Sequence, residues 1–254
     1  MRPLTFLVIA DRSSNLKEVV REAAHLLSKV QTNTQFEDSI NKLAHRVNQL
    51  TLSDVYLKEE FIENQNRLRG KGHPNSLYIS IFEDVYISVG IFILKSGTKI
   101  PIHDHPLMYG ILKVLYGSVY IQSYSHINDI IMERKNAVCL PSKGYYYEEI
   151  LFPDSHIKMY RNSPVILNAT NDCVVVTPTN NIHEVRAHNG PAAFLDVLVT
   201  PYFTFMKGGE SRDCTYFEEV TNDTETVILK KSKIPSDFVT KVIPFEGPEL
   251  PITF

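Results

Sequence analysis

Two histidines one residue apart, His103 and His105, sit in the stretch from Gly97 to Gly117, GTKIPIHDHPLMYGILKVLYG. The flanks of the pair alternate as strands do. On a strand, side chains at i and i+2 point to the same face, so both imidazoles can converge on one point inside a sheet. That makes a two-pronged clamp for a metal ion. A third ligand has to come from elsewhere in the chain, and the candidate is His183, in PTNNIHEV, which follows an apolar run with strand character.

The elements that must hold these residues follow from hydrophobic periodicity. From Asn15 the pattern is helical, with Leu16, Val19, Ala23, Leu27 and Val30 on one face, and Asn15 with Glu18 resembles a capping box. Phe36, Ile40, Leu43, Val47 and Leu50 mark a second helix. Residues from Thr51 to Asn75 read as a charged connector, in which Gly70, Gly72 and Pro74 punctuate the passage onward. After Ser76 come SLYISIFED, VYISVGIFILKSG, YGILKVLYGSVYIQSYS, AVCLPS, IKMYRN, SPVILNA, DCVVVTP, AAFLDVLVTP, CTYFEEV and VILKK, short and rich in β-branched or aromatic residues. So many brief strands predict a sandwich or barrel. The expected organisation is a helical segment and linker over 1–75, packed on the outer wall of a β domain over 76–254. His25 and His45 are expected on helix surfaces, and His73, His126, His156 and His188 in polar surroundings away from any metal.

Composition narrows the function. The chain has 254 residues, 43% of them hydrophobic, with a net charge of -3 and a pI near 6.3. Neither value gives an electrostatic reason to bind nucleic acid or an anionic membrane. Cys139, Cys173 and Cys214 form no CxxC pair and too few partners for a disulfide framework, which fits a reducing compartment. The short apolar run after Met1 lacks a signal-peptide cleavage site, and no segment approaches the length of a bilayer span. A monomer in the cytoplasm is expected.

The spacing of Gly97, His103, His105 and Gly117 resembles the first sequence motif of the cupin barrels, and Pro178, Asn180 and His183 resemble the second. Asn180 takes the place of a glycine there, which predicts a left-handed backbone at that position. The resemblance implies a cupin double-stranded β-helix, or jelly-roll, barrel with the histidines facing its lumen. Where the common first motif carries a glutamate ligand, this chain has Gly110. A divalent ion held by three neutral imidazoles leaves several positions for exogenous ligands.

Three blocks, SGTKIPIHDHPLMYGILKVLYGSVYIQSY, TPTNNIHEVRAHNGPAAFLDVLVTPY and SRDCTYF, are similar to the thiol dioxygenases that act on cysteamine and on protein N-terminal cysteine, the group of animal 2-aminoethanethiol dioxygenase and the plant cysteine oxidases. The likeness covers roughly Ser76 to Val220. It implies a mononuclear Fe(II) held by His103, His105 and His183, with dioxygen and a small aminothiol or Cys-initiated peptide as substrates. Transfer of both oxygen atoms gives the sulfinic acid, and an oxygen-sensing role at N-terminal cysteines follows from the same likeness. No nicotinamide or flavin is needed, and no Rossmann or P-loop glycine pattern is present. Other metal-dependent cupin chemistry, or a ligand-binding cupin without catalysis, are the competing classes.

Asp196 is an acid within the apolar run AAFLDVLV, a costly position without a partner or ligand. It either belongs to a fixed hydrogen-bond network or orients the substrate amine or an active-site water. Tyr202 is a candidate hydrogen-bond donor at the cavity mouth, or a packing residue. Cys214 and Tyr216 align with a pair that the animal enzyme is reported to join by a thioether, although the residues alone suggest an unlinked cysteine beside a core tyrosine. Leu107 and Tyr109 depart from the residues usual after HDHP in the family, and Leu107 adds bulk near the metal, where it bears on substrate choice.

Overall fold

The computed structural model describes residues 13–26, 33–68, 70, 73–127, 156–204, 211–220 and 226–250. The run after Met1, the helical positions Leu27 and Val30, and the strand expected at 137–142 with Cys139 lie outside the described residues.

Three helices are described, α1 (Ser13–Leu26), α2 (Asn33–Val47) and α3 (Glu59–Arg67). The strands are β1 (Ser76–Glu83), β2 (Ile87–Leu94), β3 (Lys99–Asp104), β4 (Tyr109–Tyr116), β5 (Ser118–His126), β6 (His156–Arg161) and β7 (Val165–Asn168). They continue with β8 (Val174–Val176), β9 (Ile182–Ala187), β10 (Ala192–Val199), β11 (Tyr216–Glu219), β12 (Thr226–Ser232) and β13 (Thr240–Ile243). One sheet runs β13-β1-β2-β10-β4-β8 and the other β6-β12-β11-β3-β9-β5-β7. All pairings are antiparallel except that of β1 with β13. Two such sheets of largely antiparallel strands, between which the chain crosses repeatedly from β2 to β5 and from β7 to β11, make the double-stranded β-helix of a cupin.

The pleat of β10 shows how the layers divide. Ala193, Leu195, Val197 and Val199 point outward and share a core with Leu16, Val19, Val20, Ile40, Leu43 and Val47 of α1 and α2. Each fully buried aliphatic side chain there contributes roughly 1.5–3 kcal/mol, so the helices are fastened to the first sheet. Ala192 and Phe194 point inward, where they meet Leu94, Leu112, Val114, Val119, Ile121, Val185 and Ala187. The register sets this inner cluster at one end of the barrel, at the level of Ala192↔Leu94 and Val119↔Ala187. The pairs Val199↔Tyr109 and His103↔His183 lie toward the opposite end. An apolar plug therefore closes one end, and polar side chains in the lumen face the other.

Several local expectations are corrected. The connector from Thr51 to Asn75 contains α3, whose one fully covered apolar residue, Ile62, is too faint a periodic signal among EEFIENQNR. Asn15 is not a cap but lies inside α1, and its amide donates to Asp54 Oδ1 at 3.2 Å. Asn180 is absent from the left-handed residues. The turn closes instead through its N–H on the Thr177 carbonyl at 3.1 Å, and Pro178 supplies the fixed φ that such a turn accepts at its second position. Tyr109 lies away from the site and meets Phe36 of α2 edge-on, with ring centroids 5.2 Å apart.

Candidate metal centre

His103 is the penultimate residue of β3 and lies on the inner face, where it pairs in register with His183 of β9. His105 is one residue past the end of β3. Its N–H still donates to the Asn181 carbonyl at 3.0 Å, which extends the pairing far enough to keep the two imidazoles on one side. The ladder is irregular between Ile100 and His103. One ring nitrogen from each of His103, His105 and His183 lies within 4.8 Å of the others, and all three residues are buried. Among the described residues this is the one group of three or more potential ligands; His25, His45, His73, His126, His156 and His188 take no part.

The hydrogen bonds behind the rings assign their tautomers. His103 Nδ1 lies 2.9 Å from the Pro101 carbonyl, which can only accept, so Nδ1 carries the proton and Nε2 keeps its lone pair. Tyr202 donates its hydroxyl proton to the Asp104 carbonyl. Its oxygen then accepts from His105 Nδ1 at 2.9 Å, leaving His105 Nε2 bare as well. That nitrogen stands 3.1 Å from His183 Nε2. Two metal bonds of about 2.1 Å at a right angle separate their nitrogens by roughly this amount, so the geometry accepts an ion.

Burial also keeps the ligands unprotonated. Desolvation pushes the His103 imidazole down to about 4. Burial, and then the neighbouring rings, hold His105 well below its ordinary value, and the same causes act on His183. At neutral pH the set is three neutral imidazoles with no carboxylate among them. The position where the common motif has glutamate has little space for one: a Cβ on Gly110 would stand 3.3 Å from both Leu198 Cδ2 and Val176 Cβ.

Tyr202 thus sits behind His105, where it fixes the ring. Its partners include the Cys214 thiol, which bonds to the hydroxyls of both Tyr202 and Tyr216. Burial pushes that thiol up to about 12, so Cys214 is a neutral thiol at neutral pH. Tyr216 pairs in register with His103, and Thr215 N–H donates to Asp104 Oδ1 at 2.7 Å, which fastens the Cys214 segment beside the ligands. Outer partners of metal-binding histidines typically change metal affinity by about 10–100-fold when removed. Tyr202→Phe is expected to weaken metal retention within that range while the thermal transition of the metal-free protein changes little; competition with a chelator measures the first and calorimetry the second.

Asp196 points into the lumen beyond Phe194. Burial alone raises its carboxyl to about 7, and among the described residues no hydrogen bond to it compensates. The folded value lies above the ordinary value of 3.8, so the folded state holds this proton more tightly. The stabilising contribution is complete below pH 4 and is lost as pH rises through 7. Asp196→Asn removes the ionisation, so the metal-free variant should exceed the parent protein by about 4 kcal/mol at pH 8 and differ from it little at pH 4. Denaturant titrations at the two pH values test this.

Two loops bring unusual backbone to the same end of the barrel. Leu107, Thr200 and Phe203 adopt φ of 54, 63 and 59°. Thr200 N–H donates to the Tyr86 carbonyl at 2.7 Å, and Phe203 N–H donates to the Arg212 carbonyl at 3.0 Å. Left-handed conformations cost non-glycine residues about 1–3 kcal/mol each, and here they turn Leu107 and Phe203 toward solvent near the histidines. Sequence reasoning passed over Arg212 and over the packing of Tyr78, whose ring lies 2.4 Å from where a Cβ on Gly90 would stand, the kind of close approach that a mid-strand glycine marks. Arg212 is buried with no partner on its Nε, and it had no signal beyond its place before Asp213 and Cys214. A cavity of about 750 Å³ between Leu50–Glu59 and β4 contains none of these residues.

The fold and site together define a cupin with a three-histidine metal centre. A model of the PCO_ADO family matches residues 46–250, and the chain belongs to that family. It is 33% identical over 186 residues to human 2-aminoethanethiol dioxygenase, an alignment covering 72% of this chain and 66% of the human protein. With the mouse protein of the same name the identity is 36% over 151 residues, covering 58% and 56%. Plant cysteine oxidase 1 of Arabidopsis thaliana is 26% identical, covering 74% and 57%. The chain thus spans somewhat under two thirds of the length of these relatives.

Proposed function

We propose that this chain is an iron(II)-dependent thiol dioxygenase that adds both atoms of O2 to the sulfur of cysteamine or of a protein N-terminal cysteine, forming the sulfinic acid. The observation that carries this reading is the convergence of His103, His105 and His183 without a carboxylate, in a chain of the PCO_ADO family. Three ligands on one face leave room for a thiol and for dioxygen. Iron there would supply acidification of the bound thiol and the one-electron steps that a spin-paired thiolate lacks toward triplet oxygen.

The remaining work belongs to the protein. Pro101 and Tyr202 hold two imidazoles with Nε2 forward. The apolar plug keeps water from the closed end of the lumen, and Asp196 offers a carboxylate to the substrate's ammonium group. The balance needs no external reductant: sulfur loses four electrons, O2 gains them, two S–O bonds form as the O–O bond breaks, and the thiol proton ends on the sulfinic acid. The free thiols of Cys173 and Cys214 fit work in the reducing cytoplasm, and the chain would act as a monomer. Among the described residues no helix is long and apolar enough to cross a membrane.

The test is incubation of iron-loaded protein with aminothiols and Cys-initiated peptides under controlled oxygen. Products heavier by two oxygen atoms support the reading, and consumption of oxygen without sulfinate formation contradicts it. The dependence of rate on oxygen concentration shows whether the same chemistry could report oxygen supply.

A further inference from the structure

The cavity of about 750 Å³ holds none of the metal ligands and is bounded by the turn at 50–59, β4, Ala169 and Glu246 of the C-terminal tail. That is the size of a small-molecule site. Leu50, Leu57, Val114 and Leu115 form its floor, each no more than 8% exposed. A bulge in β4 shapes this floor. The ladder with β10 passes from Phe194↔Val114 directly to Ala193↔Tyr116, which leaves Leu115 without a partner, and such a bulge bends the strand and re-aims its side chains. Val114 also belongs to the apolar plug, so the plug separates this cavity from the lumen.

The rim is built from two segments held together at a cost. Tyr56 has a φ of 56°, a left-handed backbone that is unfavourable for an aromatic residue, and strain of this kind collects at ligand clamps. Its ring meets Phe245 edge-on, with centroids 6.0 Å apart. A Cβ on Gly247 would stand 2.8 Å from Tyr56 Cδ2 and nearer still to the Phe245 ring, so only glycine lets the tail lie against the turn. This contact brings Glu246 to a rim that Glu59 and Lys58 also line. Among the described residues none of the three makes a hydrogen bond or ion pair, and Lys58 is the one cation of the lining. The positive end of α3 opens nearby, where Glu59 and Glu60 in its first turn offset it. The result is an apolar floor under a rim of net negative charge.

We propose that this cavity is a second binding site, separate from the metal centre, for a small molecule with an apolar body and a protonated amine. The apolar part covers Leu115 and Val114, and removal of carbon surface from water on both sides supplies the affinity. The ammonium group sits at the rim against Glu59 and Glu246, which select the sign of the charge. A molecule of the same shape that ends in a carboxylate meets like charge there and is rejected. The site stands independently of the thiol dioxygenase reading, because none of its lining residues is a metal ligand.

The experiment is titration calorimetry of the full-length chain, with and without iron, against phenethylamine, 2-phenylethanol and 3-phenylpropanoate, which share a phenyl body and differ in charge. The parent is compared with Ala169→Phe, which fills the cavity from an exposed lining position, and with the double variant Glu59→Gln, Glu246→Gln, whose exposed side chains are replaced without disturbing the core. Phenethylamine should bind once per chain, with the same Kd in the presence and absence of iron and about tenfold more tightly than 2-phenylethanol. 3-Phenylpropanoate should bind more weakly than either. The double variant should lose the tenfold advantage of the amine and leave the alcohol unchanged, and Ala169→Phe should abolish binding of both. No saturable binding of phenethylamine to the parent would overturn the proposal, as would affinities for the amine and the propanoate within twofold of each other. Undiminished binding by folded Ala169→Phe would overturn it too, as would a Kd that depends on iron, since that assigns the amine to the metal centre. Should Ala169→Phe not fold, the glutamine pair decides: loss of the amine's advantage supports the site and its retention overturns it.

Discussion

His183→Ala yields a folded chain that retains no iron and oxidises no thiol. His183 is the ligand supplied from β9, across the ladder from His103, and its Nε2 is 3.1 Å from that of His105. Without it two imidazoles remain, from positions two residues apart, and the held face of the ion loses one of its three protein ligands. The side chain is neutral and buried, so truncation leaves a small void but no stranded charge, and the barrel survives with a modest loss of stability. Iron analysis, oxygen uptake with cysteamine and circular dichroism distinguish this from unfolding. Retention of one iron per chain with undiminished oxidation would remove His183 from the site.

The second large effect concerns the substrate's amine. A Cys-initiated peptide should gain two oxygen atoms, whereas the same peptide acetylated at its N-terminus should react at least about a hundredfold more slowly. Acetylation removes the charge that would offset Asp196, which otherwise ionises in an apolar wall only near pH 7. A buried polar site left without its partner discriminates strongly, by factors of a hundred or more. Mass spectrometry of both peptides in one reaction provides the comparison, and equal oxidation would mean that the amine is not recognised.

Much of this architecture was legible from residue spacing because each signal was local. The HxH pair, the glycines around it and the PxNxxH stretch mark strand ends, where backbone geometry dictates residue type. Repeated short β-branched runs specified a sandwich or a barrel, and the spacing of the histidine motifs pointed to the barrel. What escaped had a tertiary cause. Ile62 is the one fully buried anchor of α3, and its burial exists only once the sheet is formed. The i and i+2 argument placed both histidines on one strand, whereas His105 owes its orientation to the carbonyl of Asn181 on the facing segment. The left-handed backbone fell on Leu107, where no residue preference announces it, and not on Asn180, where a preference did. Tyr202 is open in the sequence between a hydrogen-bond donor at the cavity mouth and a packing residue, and its bond to His105 Nδ1 joins residues 97 apart. No periodicity or motif within either segment encodes such a contact.

X-ray absorption at the iron edge of the purified protein, with metal content measured on the same sample, addresses the metal centre itself. One iron per chain, bound by three imidazole nitrogens with its other positions filled by water or thiol, is the expected result. A carboxylate from the protein in the coordination sphere, or a scattering pattern that requires only two imidazoles, would contradict the three-histidine centre from which the proposed chemistry is derived.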